Sequence, residues 1–266
     1  MSQRQSTPGH WERYWAEREE IDDVYSNEDR IKRQLDPLPV EGRWVMEVGA
    51  GSGRDSLDLA RRGARVVVLD YVRSSFKVIR RQADALGLEV HCVCADARNM
   101  PFREGSFDLV FHQGLMEHFR DPLPLLRDNT RVLRLGGHLL VDVPQRWHVY
   151  TAAKHVMIAL DRWFAGWETE YSPRELEGLV RQGGLSVVHT YGEWMVPGFF
   201  YRSLRYALMR SGLGKLPKYP PEIWPLAPLG RGWRAFLRAR RVGLYTCAMI
   251  GTLGRKTVEG AWAGRS

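Results

Sequence analysis

The sequence lacks a hydrophobic run long enough to span a membrane. Its longest strongly apolar stretch without a charge extends from Val242 to Gly254, well short of the roughly 20 residues that a transmembrane helix needs. The first residues, MSQRQSTPGHWERYW, also lack the apolar segment of a signal peptide. We therefore expect the protein to stay in the cytoplasm.

Cysteine is scarce as well, with three in 266 residues. Cys92 and Cys94 share one face of a predicted strand, but a C-x-C pair without further cysteines or clustered histidines is weak evidence for a metal or redox site. Because free cysteine is frequently buried, we expect these two and Cys247 to act as small buried hydrophobic residues. No His/Asp/Glu cluster has ligand spacing either, so no metal site is predicted.

What the sequence does contain is an alternation of apolar runs and helical patterns. A hydrophobic content of 44% and a charged content of 26% are those of a globular protein, and we predict one domain over residues 1–266. The first five strands alternate with helices, which indicates a doubly wound α/β fold with a parallel sheet. The predicted strands are 43–49, 64–70, 88–95, 107–113, 138–144, 185–194 and 243–256.

Glycine, serine and proline mark where several helices begin and end. The pattern predicts helices over 54–62, 73–86 and 123–135, the last ending at Gly136-Gly137. Ser172, Pro173 and Glu175 predict the capped start of another helix. The stretch 197–241 separates the sixth and seventh strands and holds six of the 14 prolines, which indicates an insertion of short helices and turns.

The stretch VMEVGAGSGRDSLDLA joins the first strand to the first crossover helix through a glycine-rich loop. Such a turn brings backbone N–H groups close to a ligand. Dinucleotide folds usually show G-x-G-x-x-G, whereas this loop is G-x-G-x-G and follows Glu47. Since an acid at this place would repel a pyrophosphate, the pattern favours a ligand that carries an ammonium group.

These features resemble the class I S-adenosylmethionine-dependent methyltransferases, closely over residues 43–144 and further through 172–194 and 243–256. The stretches FDLVFHQGLMEHF and RVLRLGGHLLVDVP are similar to the branch that methylates quinones and other small molecules. The resemblance implies a Rossmann-like seven-stranded sheet and S-adenosyl-L-methionine as the cofactor.

The resemblance also implies which residues hold the cofactor. The loop after Glu47 would wrap its methionine part, Asp70 its ribose hydroxyls, and Asp96 in ADARNMPF its adenine amino group. Gln113 and Gly114 are expected to contact it through backbone atoms, with His112 nearby. The full predicted set is Glu47, Gly49, Ala50, Gly51, Gly53, Asp70, Tyr71, Asp96, Ala97, Gln113, Gly114 and Trp15.

Methyl transfer from a sulfonium to a protonated nucleophile needs a base within hydrogen-bond reach. His118 is the first candidate, together with Glu117, because both follow the fourth strand at the edge where ligands bind in doubly wound sheets. The alternative is that this pair only shapes the loop and caps the next helix. His148 and His155 are alternative bases.

Aromatic residues are concentrated in 145–171, which follows the fifth strand at the same edge. They could form acceptor-pocket walls or pack this segment onto the core. The predicted substrate-binding residues are Trp147, His148, Tyr150, Trp163, Trp167 and Tyr171. At the other end of the chain, HWERYWAEREE predicts an amphipathic helix within an N-terminal helical lid over residues 1–40, with ordinary packing as the alternative.

The net charge of +8 has an uneven distribution: from Pro197 to Arg241 the chain has ten Lys or Arg and one acid. That segment therefore carries +9, and the remaining residues together carry −1. Basic amphipathic helices with aromatic residues favour anionic membrane surfaces, although arginines also bind nucleic-acid phosphates or simply face water.

The sequence favours a small-molecule acceptor over nucleic acid. The fourth strand is not followed by the Asn/Asp-Pro-Pro-aromatic motif of methyltransferases that act on exocyclic base amines, nor by the Pro-Cys of those that act on base C5. We predict methyl transfer to an oxygen or nitrogen of a lipophilic or aromatic small molecule. The alternatives are a nucleic-acid or protein methyltransferase that uses the basic insertion, a lipid-headgroup N-methyltransferase at the membrane, and a binding module without catalysis. The oligomeric state stays open.

Overall fold

The computed structural model describes residues 7–16, 29–163, 167–193, 198–217, 227–238 and 240–257. Its helices are α1 (Pro8–Ala16), α2 (Arg30–Leu35), α3 (Arg54–Arg61), α4 (Ser75–Leu86), α5 (Leu123–Val132), α6 (Val149–Ala159), α7 (Pro173–Gln182), α8 (Phe199–Arg210) and α9 (Ala227–Arg238). Its strands are β1 (Trp44–Val48), β2 (Arg65–Asp70), β3 (Val90–Cys94), β4 (Phe107–Gln113), β5 (Leu133–Pro144), β6 (Ser186–Glu193) and β7 (Met249–Arg255).

The seven strands form one sheet in the order β3-β2-β1-β4-β5-β7-β6. Strands β1 to β5 pair in parallel, whereas β7 runs antiparallel to both β5 and β6. The predicted α/β fold is confirmed. The chain passes from β1 to β2 on one side and returns to β4 on the other, which creates the switch point where such sheets bind ligands.

Successive side chains of a strand point to opposite faces of the sheet, and helices bury both faces. Val45 belongs to a hydrophobic cluster with Ile31 of α2, Leu59 of α3 and Ile79 of α4. Its neighbour Met46 belongs to the cluster on the other face, which contains residues of α5 and α7. This three-layer packing holds the carboxyl ends of β1, β2, β4 and β5 along one edge, where the candidate site lies.

The capped start of α7 is confirmed. Ser172 Oγ accepts a hydrogen bond from the Glu175 N–H at 3.3 Å, and Glu175 Oε2 accepts from the Ser172 N–H at 2.8 Å. This reciprocal pair satisfies two N–H groups that a helix start otherwise leaves without an acceptor.

Two predicted boundaries are wrong for the same kind of reason. Gly136-Gly137 lies inside β5 and does not end a helix, because α5 already ends at Val132. The Gly136 N–H donates to the Lys256 carbonyl and the Lys256 N–H donates to the Gly137 carbonyl, which extends the sheet through both glycines. At the other end of the chain, residues Arg241–Tyr245 form a 3-10 helix, so β7 begins at Met249 and not at residue 243.

The cysteine prediction is confirmed for one residue of three. Cys247 is buried, Cys92 is half-buried and Cys94 is exposed. The burial of Cys94 was wrong because β3 is an edge strand of the sheet. The strand pattern could not show which strand occupies the edge.

Some predicted features fall outside the described residues. The helix predicted near the N-terminus is described only as α1, so its continuation over 17–28 lies outside. So do residues 164–166 of the aromatic stretch and residues 197, 218–226 and 239 of the basic insertion.

Candidate functional site

The loop from Gly49 to Gly53 lies at the switch point, between the end of β1 and the start of α3. Gly51 has a φ of +52°, a conformation that a side chain strains. A Cβ at Gly51 would also lie 2.9 Å from Cζ2 of Trp15. The loop is therefore a tight turn that only glycine fits at this position, and its outer side is covered by α1.

Asp70 ends β2 beside this loop. Its Oδ2 lies 3.4 Å from the Gly51 N–H and its Oδ1 accepts from the Val72 N–H at 3.1 Å. Burial raises the pKa of Asp70 above its usual range, while these backbone donors oppose the shift. The carboxylate is thus held at the loop by backbone groups, as a residue that binds two adjacent hydroxyls would need to be.

Glu47 lies behind the loop. Its Oε2 accepts from the Ser56 hydroxyl at 2.5 Å, and its Oε1 lies 3.4 Å from Nε2 of Gln113. Burial and the neighbouring Asp55 raise the pKa of Glu47 to about 8, so the carboxyl is mostly protonated at neutral pH. In this arrangement Glu47 joins β1 to α3 and β4, and its contact with a cofactor stays a prediction.

The predicted adenine residues follow β3. Asp96 accepts from Nε of Arg98 at 3.0 Å and from Nη2 at 2.6 Å. This guanidinium holds the pKa of Asp96 below its usual range. Ala97 is buried beside it and Tyr71, which follows β2, is about half exposed. A ligand amino group that reached Asp96 would therefore share the carboxylate with Arg98.

Helix α1 links the glycine loop to the candidate base. Trp15 lies against Gly51, and the Ser74 hydroxyl donates to the Glu12 carbonyl at 3.1 Å. One turn earlier, the Trp11 ring meets the His118 ring edge-on, with centroids 5.3 Å apart. A single helix thus covers both halves of the edge, as the predicted lid requires.

Glu117 and His118 lie in a 3-10 helix (Met116–His118) directly after β4. Burial and the neighbouring Glu168 raise the pKa of Glu117 well above its usual range, which favours the protonated carboxyl. Burial lowers the pKa of His118, which keeps the imidazole neutral. Neither Glu117 Oε2 nor His118 Nδ1 has a hydrogen-bond partner within the described part of the chain. The pair therefore offers one neutral acid and one neutral base.

The family model described as "Methyltransferase domain" matches residues 46–141, from within β1 to within β5. This stretch of the chain is therefore similar to a methyltransferase domain. The matched residues include the glycine loop, Asp70, Asp96, Glu117 and His118.

Relatives and solved structures are similar to the same region and beyond. A "Ubiquinone biosynthesis O-methyltransferase" from Cereibacter sphaeroides is 29% identical over 161 residues, which are 59% of this chain and 65% of that protein. The match thus spans less than two thirds of that relative's length.

Two solved structures share the fold of residues 46–141 and of their surroundings. A chain of the complex containing the Haloferax volcanii Trm112 methyltransferase activator has a TM-score of 0.61 at 19% identity, covering 95% of this chain and 98% of that one. The [4+2]-cyclase SpnF has a TM-score of 0.58 at 19% identity, covering 86% and 81%. At such identities the likeness shows the fold alone.

Shortly after the matched residues 46–141, a buried lysine forms ion pairs with two acids of the segment that contacts Glu117. Lys154 of α6 contacts Glu168 Oε2 at 2.6 Å and Glu170 Oε1 at 2.7 Å, and all three side chains are almost fully buried. The Thr169 N–H between these acids donates to the Glu117 carbonyl at 2.8 Å. The triad therefore fixes the wall of the site opposite the domain's 3-10 helix.

The sequence interpretation missed Lys154 and Glu170. A signal existed, since Lys154 is the only charged residue among the eleven of α6 apart from the neighbouring His155. A lone lysine in an apolar helix needs an acidic partner when it is buried. Its partners lie fourteen and sixteen residues further on, and only the fold shows that the intervening loop returns to α6.

The predicted substrate-binding aromatics are not all brought together. Tyr150 and Trp163 meet edge-on with centroids 6.2 Å apart, and Trp163 Nε1 donates to Glu168 Oε1 at 2.8 Å. Tyr171 is buried, and this burial raises the pKa of its hydroxyl. Trp167 lies under the Arg120 guanidinium, at 4.6 Å. These four surround the triad and Glu117.

Two other members of that set have different surroundings. Trp147 is 67% exposed, so it forms no wall of a closed pocket in this structure. His148 caps α6, because its Nδ1 accepts from the Tyr150 N–H at 3.1 Å. His148 as an alternative base is therefore disfavoured, since that nitrogen already has a donor. His155, the other alternative, pairs with Glu170 at 2.9 Å and is largely exposed.

Two further observations concern metal-binding groups and His112. No group of three or more His, Cys, Asp or Glu that could hold a metal is found among the residues for which the structure is described. His112 is fully buried inside the sheet, with a pKa lowered to about 3 by burial, and both of its nitrogens lack partners among the described residues. His112 therefore faces the core.

Proposed function

We propose that this protein transfers a methyl group from S-adenosyl-L-methionine to an oxygen or nitrogen of a small, lipophilic or aromatic acceptor. The observation that carries the proposal is the glycine loop at the switch point, with Asp70 beside it, inside the matched methyltransferase domain. The loop's geometry matters because the fold alone is also used by a cyclase.

The residues around the loop fit this cofactor. Gly51 leaves no room for a side chain, so backbone N–H groups can approach the methionine part, and Asp70 is held where it can accept from ribose hydroxyls. Asp96 and Ala97 would face the adenine, and Gln113 and Gly114 would line the inner side. When bound, the cofactor supplies a methyl group activated by a sulfonium.

Proton removal is assigned to His118. It is neutral because burial lowers its pKa, and its Nδ1 has no donor within the described residues, so the lone pair is available. The protonated Glu117 next to it would donate a hydrogen bond to the acceptor, and the lysine triad would hold the facing wall. Trp163, Trp167 and Tyr171 would provide the apolar surfaces.

The proposed acceptor class is supported by a relative and by the aromatic side chains of the site. The curated relative is named for O-methylation in ubiquinone biosynthesis, which supports an oxygen on an aromatic ring. The aromatic side chains around the triad are consistent with such a ring. We therefore propose a phenol or hydroquinone hydroxyl as the first acceptor to test.

The cofactor assignment is tested by calorimetric titration with S-adenosylhomocysteine. We expect tight binding that Asp70→Asn weakens about 10- to 100-fold, because a hydrogen bond to a charged group contributes about 1.5–3 kcal/mol. Asp58→Asn is the control, since Asp58 pairs with Lys32 of α2 and should leave the affinity unchanged. Binding of NAD in place of S-adenosylhomocysteine would refute the proposal.

The acceptor assignment is tested by transfer of a labelled methyl group to a panel of phenols, hydroquinones, amines and a structured RNA. We expect labelled phenolic ethers, and a loss of about 10²- to 10⁴-fold in His118→Gln with the affinity for S-adenosylhomocysteine unchanged. Transfer to RNA or to amines alone would contradict the oxygen acceptor. Equal turnover by His118→Gln would show that His118 is not the base.

A further inference from the structure

Helix α9 presents an apolar stripe to solvent. Leu229, Trp233 and Phe236 have exposed fractions of 73%, 61% and 47%. Their spacing of four and three residues places them on one side of the helix, which we call the α9 stripe. Trp233 and Phe236 stack with centroids 5.6 Å apart. An exposed cluster of this kind marks an interaction site more often than isolated surface hydrophobics do.

Helix α8 is apolar on its exposed side as well. Phe200 is 76% exposed, and Leu204, one turn further on, is more than half exposed. Leu213, just beyond the helix, is among the most exposed hydrophobic residues in the described part of the chain. Helices α8 and α9 therefore both leave large apolar side chains in water.

Positive charge surrounds these apolar side chains. The segment from Pro197 to Arg241 carries +9, whereas the rest of the chain carries −1. Arg240 lies over the Phe236 ring, 5.1 Å from its centroid, and Arg231 is exposed on α9. The apolar surface is thus bordered by guanidinium groups, while Glu222 is the single acid of the segment.

The two helices emerge at the edge of the sheet that holds the candidate site. Glu193, the last residue of β6, pairs with Met249, the first residue of β7, and Met249 also pairs with Pro144 at the end of β5. The chain therefore leaves β6 and enters β7 at the carboxyl edge of the parallel strands. A partner bound by α8 and α9 would lie on the side of the molecule that carries the glycine loop.

We propose that the exposed faces of α8 and α9 dock the protein on an anionic membrane surface. The α9 stripe and Phe200 would enter the boundary between headgroups and acyl chains, and the arginines would contact lipid phosphates. No helix in the described part of the chain is long and apolar enough to cross a membrane. The proposed docking does not depend on whether the protein transfers a methyl group.

The combination of positive charge and exposed apolar side chains favours an anionic membrane over two other partners, a second copy of the chain and a nucleic acid. A second copy of the chain would bring a +9 segment against a +9 segment, which opposes association. A nucleic acid would use the arginines but would leave leucine and phenylalanine side chains in water. An anionic bilayer takes up both kinds of group.

The test is co-flotation of the full chain with vesicles of phosphatidylcholine alone or mixed with phosphatidylglycerol. We expect binding to the mixed vesicles that falls as salt rises, and little binding to phosphatidylcholine alone. The triple variant Leu229→Ser, Trp233→Ser, Phe236→Ser should lower the partition coefficient at least about tenfold. Arg231→Gln and Arg240→Gln should each lower it about fivefold.

The matched control is a triple change of exposed apolar residues elsewhere, Leu86→Ser, Leu135→Ser and Val188→Ser, which should leave flotation unchanged. Circular dichroism and the affinity for S-adenosylhomocysteine verify that each variant is folded. Equal binding to both kinds of vesicle, or no binding, would overturn the proposal. So would a concentration-dependent dimer that only the α9 triple abolishes, or RNA binding that the α9 triple leaves intact.

Discussion

The sheet edge that carries the candidate site has two halves, and the buried carboxyl groups of the two halves accept from different kinds of donor. In the cofactor half, after β1 and β2, Glu47 and Asp70 are bonded by hydroxyl, amide and backbone donors. In the acceptor half, after β4 and β5, Glu168 and Glu170 are bonded by the Lys154 ammonium, and Glu117 keeps one oxygen without a partner among the described residues.

The cofactor half is therefore formed mainly by local turns, whereas the acceptor half is held together by buried ion pairs. Neutral donors from a loop and a helix start hold Glu47 and Asp70 in the cofactor half, while the neighbouring Asp55 pairs with Arg54 at 3.0 Å. The acceptor half depends on a buried cation whose loss would leave two carboxylates without compensation. We expect the acceptor half to be the more sensitive to single substitutions.

The largest effect is expected from Lys154→Met. Removing one partner of a buried ion cluster costs about 3–5 kcal/mol in the free energy of unfolding, since the remaining charges stay buried. The matched control is Lys32→Met, whose partly exposed pair with Asp58 contributes at most about 1 kcal/mol. Urea denaturation at pH 7 measures both. Similar losses in the two variants would show that the triad is no tighter than a surface pair.

The second-largest effect is the difference in the free energy of unfolding between substitutions of Glu168 and Glu117 in the acceptor half. Glu168→Gln removes a charge that accepts from Lys154 and Trp163, and should cost about 1.5–3 kcal/mol. Glu117→Gln replaces a protonated carboxyl by a neutral amide of the same shape, so stability should change by less than about 0.5 kcal/mol. The same denaturation series measures both. A large loss in Glu117→Gln would mean that Glu117 is ionised in the folded protein.

The third effect tests the pH sensitivity of the cofactor half through Glu47. Its folded pKa of about 8 lies above the usual value of 4.5, so the folded protein binds the proton more tightly. Stability from this group is complete below pH 4.5 and is lost as the pH rises toward 8, by up to about 1.4 kcal/mol per pH unit.

In Glu47→Gln this dependence disappears, and the variant should gain stability relative to the wild type between pH 5 and 8. Thermal unfolding at several pH values in that interval measures the difference. A difference that stays constant with pH would show that Glu47 has an ordinary pKa in the folded protein.

The cofactor half could be predicted from the sequence because its determinants are local. The order of apolar run, glycine loop, helix and second run places Asp70 beside Gly51 through the βαβ geometry alone. What the sequence did not show is that Glu47 is enclosed by Ser56 and Gln113, since this depends on side-chain directions in three elements.

The sequence predicted where the acceptor half lies but not which of its side chains contact one another. The aromatic stretch marks where it lies, while its organiser, Lys154, contacts acids at the end of a loop whose path no local pattern encodes. The error at Gly136-Gly137 has the same origin, because pairing with Lys256 over 119 residues overrides a local helix-ending signal. Long-range pairing is the information that periodicity and spacing lack.

The smallest effect concerns the helix that joins the two halves. Trp11→Ala should admit water to the His118 ring and raise the pKa of His118 toward its ordinary value of 6.5. Trp15→Ala is the matched control, because Trp15 lies against Gly51 and should alter cofactor affinity without moving this pKa. Histidine NMR titration resolves the two. If both variants shift the pKa of His118 equally, α1 acts on the site as one rigid cover, and the contacts of its two tryptophans cannot be separated.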